Sequence, residues 1–328
     1  MADVKYWMTG SMEQFTPRDL VAQLVEIEQA GFDGTGCSDH FQPWWEGGQS
    51  GHAWAFLGAA GQATESIPLG TGVTAPVFRH HPAVTAQAFM TLEQMFPGRV
   101  FLGIGSGEAL NEVPLGMDWP STPDQVRRMD EALQIITRLF DGEHLDFDGE
   151  HFRLKNAYLH TRAERRPPLY ISAFGPKAAA VAGRYGDGLW TLADPEKVPG
   201  IIDAYRSAAS DAGREPGEII LHTGVAWAED DDALIEGSRM WRGTQPDEFY
   251  TDDWHEPAAM QEHAAAQVSD EQLRESFVIS TDLDHHADRI SEIERLGATV
   301  VCLQNISGAD AHGTIRVYGE TVLPALRG

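Results

Sequence analysis

The stretch Cys37 to His52, CSDHFQPWWEGGQSGH, sets a carboxylate (Asp39), an imidazole (His40) and two indoles (Trp44, Trp45) just beyond a short run that reads as a buried strand. An imidazole beside an acid can take up and release protons near neutral pH. A second stretch, Phe101 to Glu112 (FLGIGSGEALNE), leaves another apolar strand through glycines and then sets down Glu108. A carboxylic acid kept protonated by apolar, aromatic surroundings is a proton donor. Taken singly, each residue also has a plainer role. A histidine after a strand is often structural, Asp39 could hold its loop by accepting backbone N–H groups, and a tryptophan can cap an apolar surface. The grouping favours chemistry, with one indole expected in a pocket and the other in packing.

The glycines at 103, 105 and 107 let backbone approach a planar or phosphorylated ligand closely. They are not the dinucleotide fingerprint, because G-x-G-x-x-G needs its third glycine at Glu108, and Pro114, Pro120 and Pro123 interrupt the helix that should follow. His80-His81 and His285-His286 lack the i, i+4 spacing of a helical metal pair, and no HExxH occurs, so no metal site is expected. Neither a G-x-S-x-G elbow nor a G-x-x-x-x-G-K-[ST] loop is present, which removes the anchors of hydrolase and nucleoside-triphosphatase readings. Cys37 and Cys302 stand far apart and read as buried free thiols.

Charge narrows the partners. The 328 residues hold 24 Lys+Arg against 50 Asp+Glu, a net charge of −26, with lysine only at 5, 155, 177 and 197. Such a surface repels nucleic acid and anionic membrane. It also suits a protein kept soluble in very high salt, where screening relieves self-repulsion. No run approaches the roughly 20 apolar residues of a membrane span and no signal peptide is visible at the N-terminus, so a soluble, cytoplasmic protein is expected.

The elements that must position these groups alternate from end to end. Strand-like runs at Val4–Gly10, Gly34–Ser38, Leu69–Pro76, Val100–Gly105, Leu169–Ala173, Gly188–Leu192, Ile219–Trp227 and Thr299–Asn305 are separated by helical patterns. The alternation predicts one α/β domain over residues 1–328, a (β/α)8 TIM barrel with insertions at its C-terminal face, where such barrels keep their functional groups. Thr16-Pro17 opens a helix over Arg18–Ala30 that Gly31 closes, and further helices are predicted over Pro82–Met95, Asp124–Leu139, Lys177–Arg184, Val198–Ala212 and Asp284–Leu296. Gly142–Arg166, with Asp148-Gly149 between alternating residues, reads as an inserted hairpin and loop. Arg242–Gln267 is weakly periodic and reads as an excursion above the barrel mouth.

At SDHFQPW, FRHHPAVTAQAF, RVFLGIGSGEALNE and AGRYGDG the chain resembles the luciferase-like superfamily of flavin and deazaflavin barrel oxidoreductases, and within it the glucose-6-phosphate dehydrogenases that use coenzyme F420. That resemblance implies a hydride passed between a substrate carbon and C5 of the deazaflavin. It implies that His40 takes the hydroxyl proton, that Glu108 supplies a proton near N1 of the ring, and that Trp44 walls the substrate space. It further implies cofactor contacts from Asp39, from a bulged third strand with a non-proline cis peptide at Gly72-Val73, from Gly107 and Asn111, and from the turn Ala173, Phe174, Gly175, Pro176 and Lys177. Backbone N–H groups at a helix start there, with one cation, suit a phosphate. A homodimer is implied as well.

The resemblance weakens at the substrate. Family members hold the sugar phosphate with two lysines and an arginine, whose aligned places fall near Pro195, Tyr250 and Ser276, with Lys197 and Arg274 close by in sequence. A lost charge-assisted hydrogen bond costs roughly 1.5–3 kcal/mol. The expected substrate is therefore a small alcohol or an unphosphorylated sugar at least as readily as glucose 6-phosphate. The alternatives are a luciferase-like monooxygenase using FMN and a noncatalytic deazaflavin-binding barrel. Retention of both His40 and Glu108 argues against the second.

Overall fold

A computed structural model describes residues 4–308 and 310–328. Eight parallel strands close into a barrel: Lys5–Gly10, Gly34–Cys37, Leu69–Thr71, Val100–Ile104, Leu169–Ser172, Gly188–Leu192, Glu218–Ala226 and Val300–Asn305. Each pairs with the next, and the eighth closes on the first from Lys5↔Val300 to Gly10↔Asn305. All eight predicted strands are present. The third is shorter than expected: its ladder stops at Thr71, the Gly72–Val73 peptide is cis, and pairing returns only as the single bridge Thr74↔Ile104.

The barrel interior is plugged by rings. Trp7, Phe101, Trp190, Ile220, Val300 and Cys302 are buried together, and the Trp7 and Phe101 rings stack 4.8 Å apart. Glycines of other strands and their ends face these rings. A Cβ on Gly34 would lie 2.5 Å from the Trp7 indole nitrogen, and one on Gly72 2.7 Å from the Trp190 ring. A second, larger core lies between strands and helices, including Leu20, Leu24 and Ile27 of the helix Pro17–Gln29. That helix starts as the sequence predicts: Thr16 caps it by accepting from Asp19 N–H, and Gly31 leaves with φ +85°.

Both insertions exist, with differences. The hairpin pairs Leu145–Asp148 with Arg153–Ala157, but its loop is four residues rather than a tight Asp-Gly turn. The Glu131 carboxylate shapes that loop by accepting from the N–H groups of Glu150, His151 and Phe152. The weakly periodic segment holds a helix, Pro257–Gln267, that buries only Met260 and Ala264, so it shows no apolar stripe. A helix at Ala53–Ala63, a helix at Asp231–Ser238 and a short strand at Val278–Ile279 beside the seventh were also not predicted. Trp44, Trp45, Trp241, Phe249, Met260 and Leu273 form a separate core beneath the insertion. Among the described residues, no helix is long and apolar enough to cross a membrane.

Candidate active site

His40 leaves the second strand and Glu108 the fourth, and the barrel brings them together. His40 Nε2 lies 3.5 Å from Glu108 Oε2, and its other ring nitrogen, Nδ1, lies 3.6 Å from Glu13 Oε1. Glu13 follows the first strand and is 1 % exposed. The sequence reading missed it, although it is an acid three residues beyond a strand end, the signal that singled out Asp39. His40 Nδ1 and Glu13 Oε2 are buried with no hydrogen-bond partner, so the imidazole sits between two carboxylates without being locked to either. Burial raises the Glu108 carboxyl above its ordinary value, opposed by the nearby His40 charge.

Trp44 packs on His40 with ring centroids 5.4 Å apart, and Tyr250, from the insertion, packs on Trp44 at 5.5 Å and on Phe174 at 5.6 Å. Trp45 instead stacks edge-on against Trp241, the packing role expected of one of the two indoles. The Tyr250 hydroxyl donates to the Thr244 carbonyl, and burial raises its pKa, with the Glu108 and Asp247 charges adding to the shift. The wall over His40 is therefore aromatic and its neighbours are acidic.

Beneath this pair lies a buried clasp. Arg79 Nη2 donates to the Asp39 carbonyl and to Asp39 Oδ1 at 2.8 Å, while its Nη1 reaches Glu112 Oε1 at 3.3 Å. Thr74 donates to Asp39 Oδ2, and His80 Nε2 lies 3.5 Å away. Burial alone would raise the Asp39 carboxyl, but His80, Arg79 and Thr74 together hold it well below the usual range. Both Asp39 oxygens are thus engaged by side chains of the third-strand loop, not by the backbone N–H groups of its own loop that the plainer reading of the sequence named.

Around the pair, glycines let the backbone pack closely. Gly107 has φ +87°, which only glycine adopts readily, and a Cβ on Gly105 would strike Val73 at 2.6 Å. Gly175 opens the helix Pro176–Tyr185 with no side-chain cap, and Lys177 in its first turn is exposed with no ion-pair partner among the described residues. Asn111, in the short helix Ala109–Glu112, donates to Glu108 and accepts from the loop carrying His40.

The four residues near the expected phosphate places are not all free. Lys197 Nζ lies 3.6 Å from both Asp194 and Asp247, and Arg274 is held by Asp231 and the Ile279 carbonyl. Ser276 is an exposed helix end, and Tyr250 alone joins the pocket around His40. Lys197 and Arg274, which lie close in sequence to those places, are thus each paired with an acid. Elsewhere, Asp124, Glu150 and His151 approach one another, but Arg127 already bridges the two carboxylates and Arg128 pairs with Asp124.

Residues 4–300 match the family described as luciferase-like monooxygenase. This chain belongs to the luciferase-like family. It is 38% identical to an F420-dependent glucose-6-phosphate dehydrogenase of Microbacterium testaceum, over 99% of this chain and 98% of that protein. It is 34% identical to the protein of the same name from Mycolicibacterium smegmatis, over 100% and 99%. Among solved structures, an F420-dependent secondary alcohol dehydrogenase in complex with an F420-acetone adduct superposes with a TM-score of 0.95 at 34% identity, covering 99% of this chain and 100% of that one.

Proposed function

We propose that this luciferase-like protein is a coenzyme F420-dependent oxidoreductase that moves a hydride between an alcohol or sugar and the deazaflavin. One observation carries the reading: the His40 imidazole stands between the carboxylates of Glu13 and Glu108, at 3.6 and 3.5 Å, beside Trp44. Relatives named for F420 dependence, including one at 38% identity over nearly the whole chain, support the cofactor.

The residues fit that group. Gly175, with nothing within 4 Å of its Cβ direction, leaves the uncapped helix start open, and with Lys177 exposed and unpaired among the described residues it suits a phosphate. When bound, the deazaflavin supplies a carbon that accepts or returns a hydride. His40 accepts the proton of the substrate hydroxyl as hydride leaves the same carbon. Glu13, 3.6 Å from Nδ1, stabilises the imidazolium that forms. Glu108, whose protonated form burial favours, would hold a proton available to the bound group. Trp44, Tyr250 and Phe174 exclude water from one side.

For the substrate we favour a small uncharged alcohol or sugar over a sugar phosphate. Lys197 and Arg274 are both ion-paired, so a dianionic phosphate would meet carboxylates as well as cations. A homodimer in the cytoplasm and a high-salt host, consistent with the net charge of −26, complete the proposal. Sedimentation reads the first, and a melting temperature that rises from low to multimolar salt reads the host.

The test is anaerobic reduction of F420 with 2-propanol, glucose and glucose 6-phosphate in parallel, alongside binding titrations with F420 and FMN. F420 reduction by an uncharged substrate, slowed at least ~100-fold in His40→Ala, is expected. Full turnover in His40→Ala, or binding of FMN alone, would sink the reading.

A further inference from the structure

We infer that Asn111 is a positioning residue for the proton chemistry: one buried amide fixes the Glu108 carboxyl against the loop that carries His40. The inference rests on the proposed roles of His40 and Glu108. Asn111 is 3 % exposed, and both ends of its amide are in use. Its Oδ1 accepts from Phe41 N–H at 2.7 Å and from Gln42 N–H at 3.4 Å, the two residues after His40. Its Nδ2 donates to Glu108 Oε2 at 3.1 Å. That same oxygen faces His40 Nε2 at 3.5 Å, while Glu108 Oε1 makes no hydrogen bond to the described protein and is left for a ligand. Asparagine suits the place because it offers a donor and an acceptor on one short fork; aspartate lacks the donor and glutamine is a carbon longer.

The resemblance assigned Asn111 to the cofactor. The geometry gives its amide a different task, joining the loops after the second and fourth strands. Backbone supports the same join, since Asn111 N–H donates to the Glu108 carbonyl in the first turn of the short helix.

The arrangement has a signature that general damage would not produce. The groups facing Glu108 are His40, Glu13 and Arg79 from the loops after the second, first and third strands, Tyr250 from the insertion, and Asn111 itself. A bond donated to a carboxylate favours its ionised form. Removing the amide therefore raises the pH at which Glu108 ionises. Since Glu108 must be protonated to act as donor, the fall in alcohol-oxidation rate at high pH moves to still higher pH. The plateau rate drops at the same time, because the carboxyl is no longer aimed.

The variants are Asn111→Asp, which keeps the acceptor for Phe41 and loses the donor to Glu108, and Asn111→Ala, which loses both. Glu108→Gln is the comparison. In each Asn111 variant, kcat should drop roughly tenfold with KM within about twofold, as expected for one charged hydrogen bond. The alkaline limb should also shift upward. Infrared titration of the carboxyl band that Glu108→Gln deletes, in protein without added cofactor, should show the protonated form persisting to higher pH. If Asn111→Ala does not fold, the isosteric, uncharged Asn111→Leu takes its place, since the new carboxylate of Asn111→Asp would itself push Glu108 the same way. An unmoved band and limb in Asn111→Asp would overturn the role of Asn111 and leave that of Glu108 standing. Unaltered turnover in Glu108→Gln would overturn the donor assignment itself.

Discussion

Replacing Arg79 by methionine would remove a guanidinium whose side chain is 8 % exposed and leave Asp39, at 4 %, and Glu112, at 0 %, without their cation. Only the His80 imidazole, 3.5 Å from Asp39, would remain to offset two buried carboxylates. Breaking a buried ion pair by deleting one partner costs about 3–5 kcal/mol. For a chain of this length that corresponds to a melting point lower by roughly 5 °C. The loss should depend on pH in a defined sense. In the intact protein Asp39 is held below its ordinary range, so its contribution is present above that range and disappears as pH falls through its depressed value. Glu112 is raised by burial, against the pull of Arg79. Without Arg79 both carboxyls titrate higher, and acid neutralises them. Urea unfolding at pH 8 and pH 5, with an unchanged m-value, should therefore give the full penalty at the higher pH and a smaller one at the lower. A loss below ~1 kcal/mol at pH 8, or one equally large at both values, would refute the clasp.

A Cβ on Gly103 would lie 1.9 Å from the Thr71 carbonyl, so Gly103→Ala should destabilise by about 3 kcal/mol or more in thermal unfolding. Nothing lies within 4 Å of the corresponding atom on Gly58, so Gly58→Ala in the helix Ala53–Ala63 should stabilise by roughly 0.5–1 kcal/mol. His286 is buried and His222 half-buried, and desolvation pushes both pKa values down to about 4. Unfolded histidines bind protons at higher pH, so stability should be intact above about pH 6.5 and fall as pH drops towards 4, less steeply in His286→Gln. Releasing Lys197 in the double variant Asp194→Asn, Asp247→Asn should raise kcat/KM for glucose 6-phosphate relative to 2-propanol by about two- to fivefold, a modest gain because Lys197 is 55 % exposed. An unchanged ratio would mean that these acids do not guard the pocket.

The strands were readable because each is a short apolar run ended by punctuation, and barrel closure then dictates that strand ends meet at one face. This is why His40, Glu108 and Trp44, 68 positions apart at most, could be grouped from sequence. What escaped depends on which loops touch. Glu13 follows the first strand in an unremarked turn, and its importance appears only once His40 Nδ1 is seen 3.6 Å away. Arg79 lies in the HHP-preceding stretch, where nothing signals that it reaches both Asp39 and Glu112. The helix Ala53–Ala63 has few polar residues to give it a face, and an unusual cap, His52, so its period was hidden. The pairing of Lys197 and Arg274 was hidden for another reason: a sequence shows charges but not the acids that fold against them.

The rings that plug the barrel and the glycines opposite them bear on how such a chain changes over generations. Trp7 stands 2.5 Å from where a Gly34 side chain would begin, and Trp190 2.7 Å from that of Gly72. Neither member of a pair can drift alone: enlarging the glycine first collides with the indole, and shrinking the indole first opens a void. Passage to another pairing runs through the cavity, the milder of the two intermediates when the walls can settle inward. Across descendants of this sequence, positions 7 with 34 and 190 with 72 should accordingly vary together or not at all, with the ring shrinking before the glycine gains a side chain.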